Sequence, residues 1–161
     1  MKRPGAGYKQ KNSLTDRVCW GLDRGMSTEC RFTYRVRYAE TDQMGTFYNA
    51  RALEWFEVGR SELARAMGLP YREWEERGVY LPLIEAHVRF RGRAQYDDLL
   101  EMTVRVEQER SARLRFSNEV VHAESRQPVC EGYTIHALIN AEGRPVRIPD
   151  WVQAMLQPQA G

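Results

Sequence analysis

The chain has 161 residues, 42% hydrophobic and 29% charged, with a net charge of +2. That is the composition and length of one globular domain with a sizeable core, and it excludes two ordinary domains. Six of the basic residues (Lys2, Arg3, Lys9, Lys11, Arg17 and Arg24) stand in the first 25 positions against only Asp16 and Asp23. The remainder is slightly acidic, so no nucleic-acid footprint is present.

Residues 1–25 read as a mobile basic tail, rich in Gly, Pro, Lys and Asn and without the apolar core of a secretory signal. Cys19, Cys30 and Cys130 are too few and too scattered for a disulfide framework or a zinc pattern, and a reducing cytoplasm is the expected setting. No apolar run approaches the ~20 residues of a membrane span. The folded domain is expected over residues 26–149, with 150–161 as a C-terminal extension.

Phe32 to Tyr38 alternates apolar and polar residues, which predicts a half-buried strand. A short loop follows, Ala39 to Asn49. From there Leu53, Phe56, Leu63, Ala64 and Met67 recur at helical spacing, until Gly68 and Pro70 stop the helix. Tyr71 to Arg77 forms a short second helix anchored by Trp74 and ended by Gly78. Four strand-like runs come next: Leu81 to Arg93, Leu99 to Glu109, Arg113 to Ala123, and Val129 to Asn140. Their short connections favour antiparallel pairing. Ile148 to Leu156 closes the chain as a helix.

A helix of about 16 residues spans about 24 Å, enough to cross five strands about 4.8 Å apart. The expected architecture is α+β, a five-stranded antiparallel sheet curled around a long central helix. One face and one edge of such a sheet need cover, which points to self-association as a homodimer or homotetramer.

The loop is where chemistry gathers. It holds a carboxylate, Asp42, then Gly45, then the polar start of a helix at Asn49. A helix end offers unpaired N–H groups and partial positive charge, while a carboxylate offers a nucleophile or general base. Asp before Gly also commonly bonds its own backbone in a turn. Asn49 suits an N-cap, which is compatible with binding an oxyanion at the same helix end. Gly45 allows a turn that other residues resist and a close approach of substrate. Glu40 and Thr41 shape the turn without a catalytic role.

Val36-Arg37-Tyr38-Ala39-Glu40-Thr41-Asp42-Gln43-Met44-Gly45-Thr46-Phe47-Tyr48 resembles the opening motif of hotdog-fold acyl-CoA thioesterases of the 4-hydroxybenzoyl-CoA thioesterase type. Glu54 to Leu63 resembles that family's central helix. Leu81 to Ala86, Tyr96 to Leu100 and Gly143 to Pro149 also match, in family order, so the resemblance covers about residues 29–150. It implies a hotdog fold and hydrolysis of an acyl-CoA substrate to a free acid and CoA. It implies no metal or redox cofactor, CoA being part of the substrate.

By this resemblance the family aspartate falls on Asp42 and the carbonyl-polarising backbone N–H on Asn49, where many relatives carry histidine. Ala52 stands where many have tyrosine. Phe47 and Tyr48 would be pocket walls.

Another branch of these enzymes places its acid on the central helix, which makes Glu54 and Glu57 rivals of Asp42. An ion pair of Glu57 with Arg60 is the simpler reading. Arg89, Arg91 and Arg93 alternate and would share a strand face, either as a solvated face or as a grip on CoA phosphates. They lack the aromatic platform of an RNA-binding surface. His87, His122 and His136 are read as packed or surface residues. No Ser-His-Asp set, His-Glu-x-x-His spacing or phosphate-cradling glycine loop is present. A hotdog module that binds an acyl-CoA or acyl-carrier protein without hydrolysing it is the alternative function. A hydratase is disfavoured because no His/Asp-type dyad is apparent.

Overall fold

The computed structural model describes residues 28–157; the basic tail assigned to residues 1–25 lies outside them. In chain order the elements are β1 (Thr28–Arg35), a 3-10 turn (Tyr38–Glu40), α1 (Arg51–Ala66), α2 (Tyr71–Glu76), β2 (Leu83–Phe90), β3 (Leu99–Arg110), β4 (Arg113–His122), β5 (Pro128–Ala137) and α3 (Asp150–Leu156). The strands form one antiparallel sheet in the order β1-β3-β4-β5-β2. This is the expected hotdog architecture, with α1 touching every strand.

The alternation that marks the strands also builds the core. Cys30, Phe32 and Tyr34 of β1, Leu100, Met102, Val104 and Val106 of β3, and Leu114, Phe116 and Val120 of β4 turn toward α1 and are buried. The helix answers with Ala52, Trp55, Phe56, Gly59 and Leu63, all buried, along one stripe. Gly132 lets β2 close on β5, because a Cβ there would lie 2.0 Å from the His87 carbonyl oxygen and 3.1 Å from the Phe56 ring. The far face of the sheet is polar, with ion pairs of Glu29 to Arg31 and Arg105 and of Glu101 to Arg126. At the closing end, α3 packs Val152 into the core and sets Trp151 edge-on against Trp74 of α2 at 5.2 Å.

Two expectations need correction. The first strand begins at Thr28 and ends at Arg35, so Tyr38 belongs to the 3-10 turn. Val36 still exchanges backbone bonds with Asp98 and Asp97, but the Glu40 carboxylate then captures the Arg37 N–H and turns the chain. The second concerns cysteine. Cys30 is disulfide-bonded, and Cys130 is a free thiol among the described residues. Burial pushes the Cys130 thiol up to about 12.

Candidate active site

The Ala39–Asn49 loop folds as a small hairpin laid against the start of α1. Tyr48 N–H donates to the Glu40 carbonyl at 2.8 Å and Asp42 N–H to the Thr46 carbonyl at 3.0 Å, with Thr41 bridged to Phe47 between them. Gly45, at φ +68°, closes the tip by donating to the Asp42 carbonyl. That left-handed conformation is easy for glycine and strained for most residues.

Asp42 is half-buried, and its Oδ1 accepts the Met44 N–H at 2.8 Å. This is the side-chain turn expected of an aspartate before glycine. The other carboxylate oxygen makes no hydrogen bond or ion pair among the described residues.

Asn49 does not cap the helix. The chain makes one more turn, with Arg51 N–H on the Tyr48 carbonyl, so Ala50 becomes the N-cap and no side chain bonds the helix end. The Asn49 N–H is consequently left without a hydrogen-bond partner among the described residues, beside α1's positive end. Tyr48 is 55% exposed, whereas Phe47 is 4% exposed and packs on Trp55 and Phe90 at ring distances of 4.7 and 6.0 Å.

The arginine run divides. β2 ends at Phe90. Arg91 and Gly92 both bond the Val129 carbonyl, and a Cβ at Gly92 would stand 2.4 Å from the Pro128 oxygen. Arg89 and Arg91 turn to Glu131, at 3.8 and 2.5 Å. Arg93 instead reaches the candidate loop, where its Nη2 donates to the Met44 carbonyl. Next to it, Ala94 exchanges two 3.3 Å bonds with Thr46 Oγ1, and the Ala94 carbonyl accepts the Phe47 N–H at 2.8 Å.

The three histidines go to different places. His122 Nε2 donates to the Arg93 carbonyl at 2.8 Å, and His87 stacks on Tyr133. His136 is 1% exposed and accepts from Arg60 Nη1 at 2.8 Å, while its Nδ1–H donates to Leu81. Arg60 therefore makes no ion pair with Glu57; Glu54 pairs with Arg51 at 2.5 Å. Burial, then the Arg60 charge, lowers His136 to about 4, so it is a neutral packed residue. The cavity beside Arg60 measures about 10 Å³ and is walled by Tyr71, Trp74, Leu81 and Phe116. That is room for about one water.

Glu40 is the residue that sequence reasoning undervalued. Its side chain is 1% exposed, and its carboxylate accepts Tyr34 Oη–H at 2.5 Å, Arg37 N–H at 2.7 Å, Arg37 Nη2 at 3.0 Å and Trp55 Nε1–H at 3.1 Å. Burial alone would raise its pKa, but these donors outweigh burial and hold it below the ordinary carboxylate value. The sequence signal was slight: an acid in an aromatic-rich stretch, three residues after an arginine.

Among the described residues, no group of three or more His, Cys, Asp or Glu side chains could hold a metal ion. No described helix is long and apolar enough to cross a membrane.

The sequence pattern of the thioesterase-like superfamily matches residues 36–156. A stretch of 63 residues is 41% identical to the Bacillus subtilis protein YneP and covers 39% of this chain but only 46% of that protein. The acyl-CoA thioesterase YbgC of Haemophilus influenzae is 30% identical over 101 residues, covering 62% of this chain and 71% of that one. Among solved structures, a 1,4-dihydroxy-2-naphthoyl-CoA thioesterase from Synechocystis superposes with a TM-score of 0.74 at 23% identity, over 79% of this chain and 94% of that one. At that identity the likeness shows the fold alone.

Proposed function

The chain belongs to the thioesterase-like superfamily, and from that premise we propose that it is an acyl-CoA thioesterase. In this reading Asp42 supplies the carboxylate and the Asn49 backbone N–H the oxyanion donor. One observation carries it: the hairpin ties the Asp42 loop to the segment entering α1 and leaves the Asn49 N–H free of any partner among the described residues. The names of relatives such as YbgC support the substrate class.

The chemistry needs few groups, because a thiolate leaves readily. The Asp42 carboxylate attacks the thioester carbonyl carbon, the C–S bond breaks, and CoA departs as thiolate. Water then cleaves the resulting mixed anhydride, which returns Asp42 as carboxylate and releases the acid. In the general-base variant, Asp42 takes a proton from the attacking water instead. Either route builds negative charge on the carbonyl oxygen, where a donor aligned in advance is worth ~3 kcal/mol in well-studied hydrolases. No redox cofactor enters either balance. Tyr48 and Arg93 are the substrate-facing candidates beside this pair, while Arg89 and Arg91 are held by Glu131.

Self-association belongs to the same proposal. β2 is an edge strand with Leu83, Ile84 and Phe90 about half exposed, and a second copy pairing there would cover both edge and apolar side chains. The Cys30 disulfide removes the cysteine argument for a cytoplasmic setting.

The test is thiol release from short, long and aromatic acyl-CoAs. Asp42→Asn, folded as the parent, should lose about a thousandfold or more in turnover. Near-parental turnover in that variant sinks the assignment. The bond from Met44 N–H to Asp42 Oδ1 favours the second reading, a non-catalytic acyl-CoA binder. Saturable binding without thiol release from any member of the panel would establish it.

A further inference from the structure

We propose that Glu40 is the positioning residue of this site, its side chain holding the turn that carries Asp42 onto the start of α1. The inference rests on reading Asp42 and the Asn49 N–H as the hydrolytic pair. Three parts of the chain meet at this one carboxylate: β1 through Tyr34, the N-cap of the 3-10 turn through Arg37, and α1 through Trp55. The main chain of the same residue accepts the Tyr48 N–H at 2.8 Å. Glu40 stands two residues before Asp42, and Tyr48 stands one before Asn49. The place of the carboxylate relative to the free N–H is thus set through Glu40.

Stability alone does not account for such an arrangement. An apolar side chain of similar volume commonly packs as well as a buried charge or better. What the carboxylate adds is direction, since four donors fix both of its oxygens and leave the turn a single orientation. The Tyr34 hydroxyl remains a neutral donor, because burial and then the neighbouring carboxylate push it up to about 12. A glutamine would present an NH2 group to donors, and one corner of the cage would open. The turn would then loosen while the core behind it, Phe32, Trp55 and Phe56, stays packed.

The experiment compares Glu40→Gln, Asp42→Asn and the double variant in the full chain, each confirmed as folded by circular dichroism. Thiol release is followed over a range of acyl-CoA concentrations. Glu40→Gln should lower kcat by about tenfold to a hundredfold, the scale of a misplaced reacting group, with KM within about threefold because binding contacts persist. In the Asp42→Asn background the same change should cost little more, since both residues serve one step. A purely structural role predicts fewer active molecules and a multiplicative loss in the double variant; either a multiplicative loss or parental kcat in folded Glu40→Gln overturns the inference. Should Glu40→Gln fail to fold, Tyr34→Phe and Trp55→Phe each remove one donor. Parental kcat in both would overturn it equally. An inactive Asp42→Asn beside a fully active Glu40→Gln sinks this inference alone, whereas a fully active Asp42→Asn removes the hydrolytic reading and this inference together.

Discussion

His136 sits between the Arg60 guanidinium at 2.8 Å and the Phe116 ring, met edge-on at 5.4 Å. A second positive charge there has no place to go, which is why burial and then Arg60 lower its pKa to about 4. The unfolded chain titrates near the ordinary 6.5, so it takes up the proton first as pH falls. Stability from this group is whole above about pH 6.5 and is lost progressively toward about pH 4, by at most about 3 kcal/mol. Urea unfolding near pH 7 and near pH 4 should show that decline, and His136→Gln should flatten it; an unaltered pH dependence in the variant would contradict the account. Glu40 acts in a lower window. Its folded pKa is depressed, so its contribution is present above the unfolded carboxylate value and fades as pH falls through the folded one. Neither environment is visible in the chain, because a histidine in a strand and a glutamate in a turn look alike whether buried or exposed.

The elements themselves were largely legible, and the reason is local. Period-two alternation in β3 and β4 and the 3.6-residue stripe of α1 are written into neighbouring residues, and Gly68 and Gly78, both at positive φ, end α1 and α2 as their types predict. The misjudged ends have local and distant causes. β1 stops early because Glu40 captures the Arg37 N–H, α1 starts late because Tyr48 to Arg51 forms a turn, and the Leu81 to Arg93 run stops at Phe90 where the chain closes on Val129. The first two are closed by partners three residues away, and only the third by a partner on another segment. Gly132 shows the same dependence within a strand. Gly132→Ala should destabilise the fold by about 3 kcal/mol or more, above the usual range for overpacking because the obstacle is backbone. The loss should appear in urea unfolding, with faster amide exchange along β2 than along β3. Unchanged stability would mean that β2 and β5 can part without cost.

At the scale of the whole molecule, the sheet has an exposed apolar edge at β2. Its polar face is covered by ion pairs and its concave face by α1, but β2 leaves Ile84 and Phe90 each 47% exposed along an open edge. Lysine is a common device for blunting such an edge, so Ile84→Lys should shift a dimer toward monomer in sedimentation equilibrium without lowering monomer stability. A monomeric parent, or an unchanged association constant, would overturn the proposed pairing at β2. The sequence by itself determined the order and kind of the elements, and the loop in which a carboxylate precedes a helix start, because periodicity, turn chemistry and motif spacing are properties of adjacent residues. Only the tertiary structure decided that Arg93 rather than Arg89 or Arg91 reaches that loop, that Arg60 pairs with His136 rather than Glu57, and that Glu40 stands at its centre. The arginine outcomes depend on contacts between residues far apart in the chain, and the Glu40 cluster on β1 and its turn packing onto α1, which happens only once the sheet has closed around its helix.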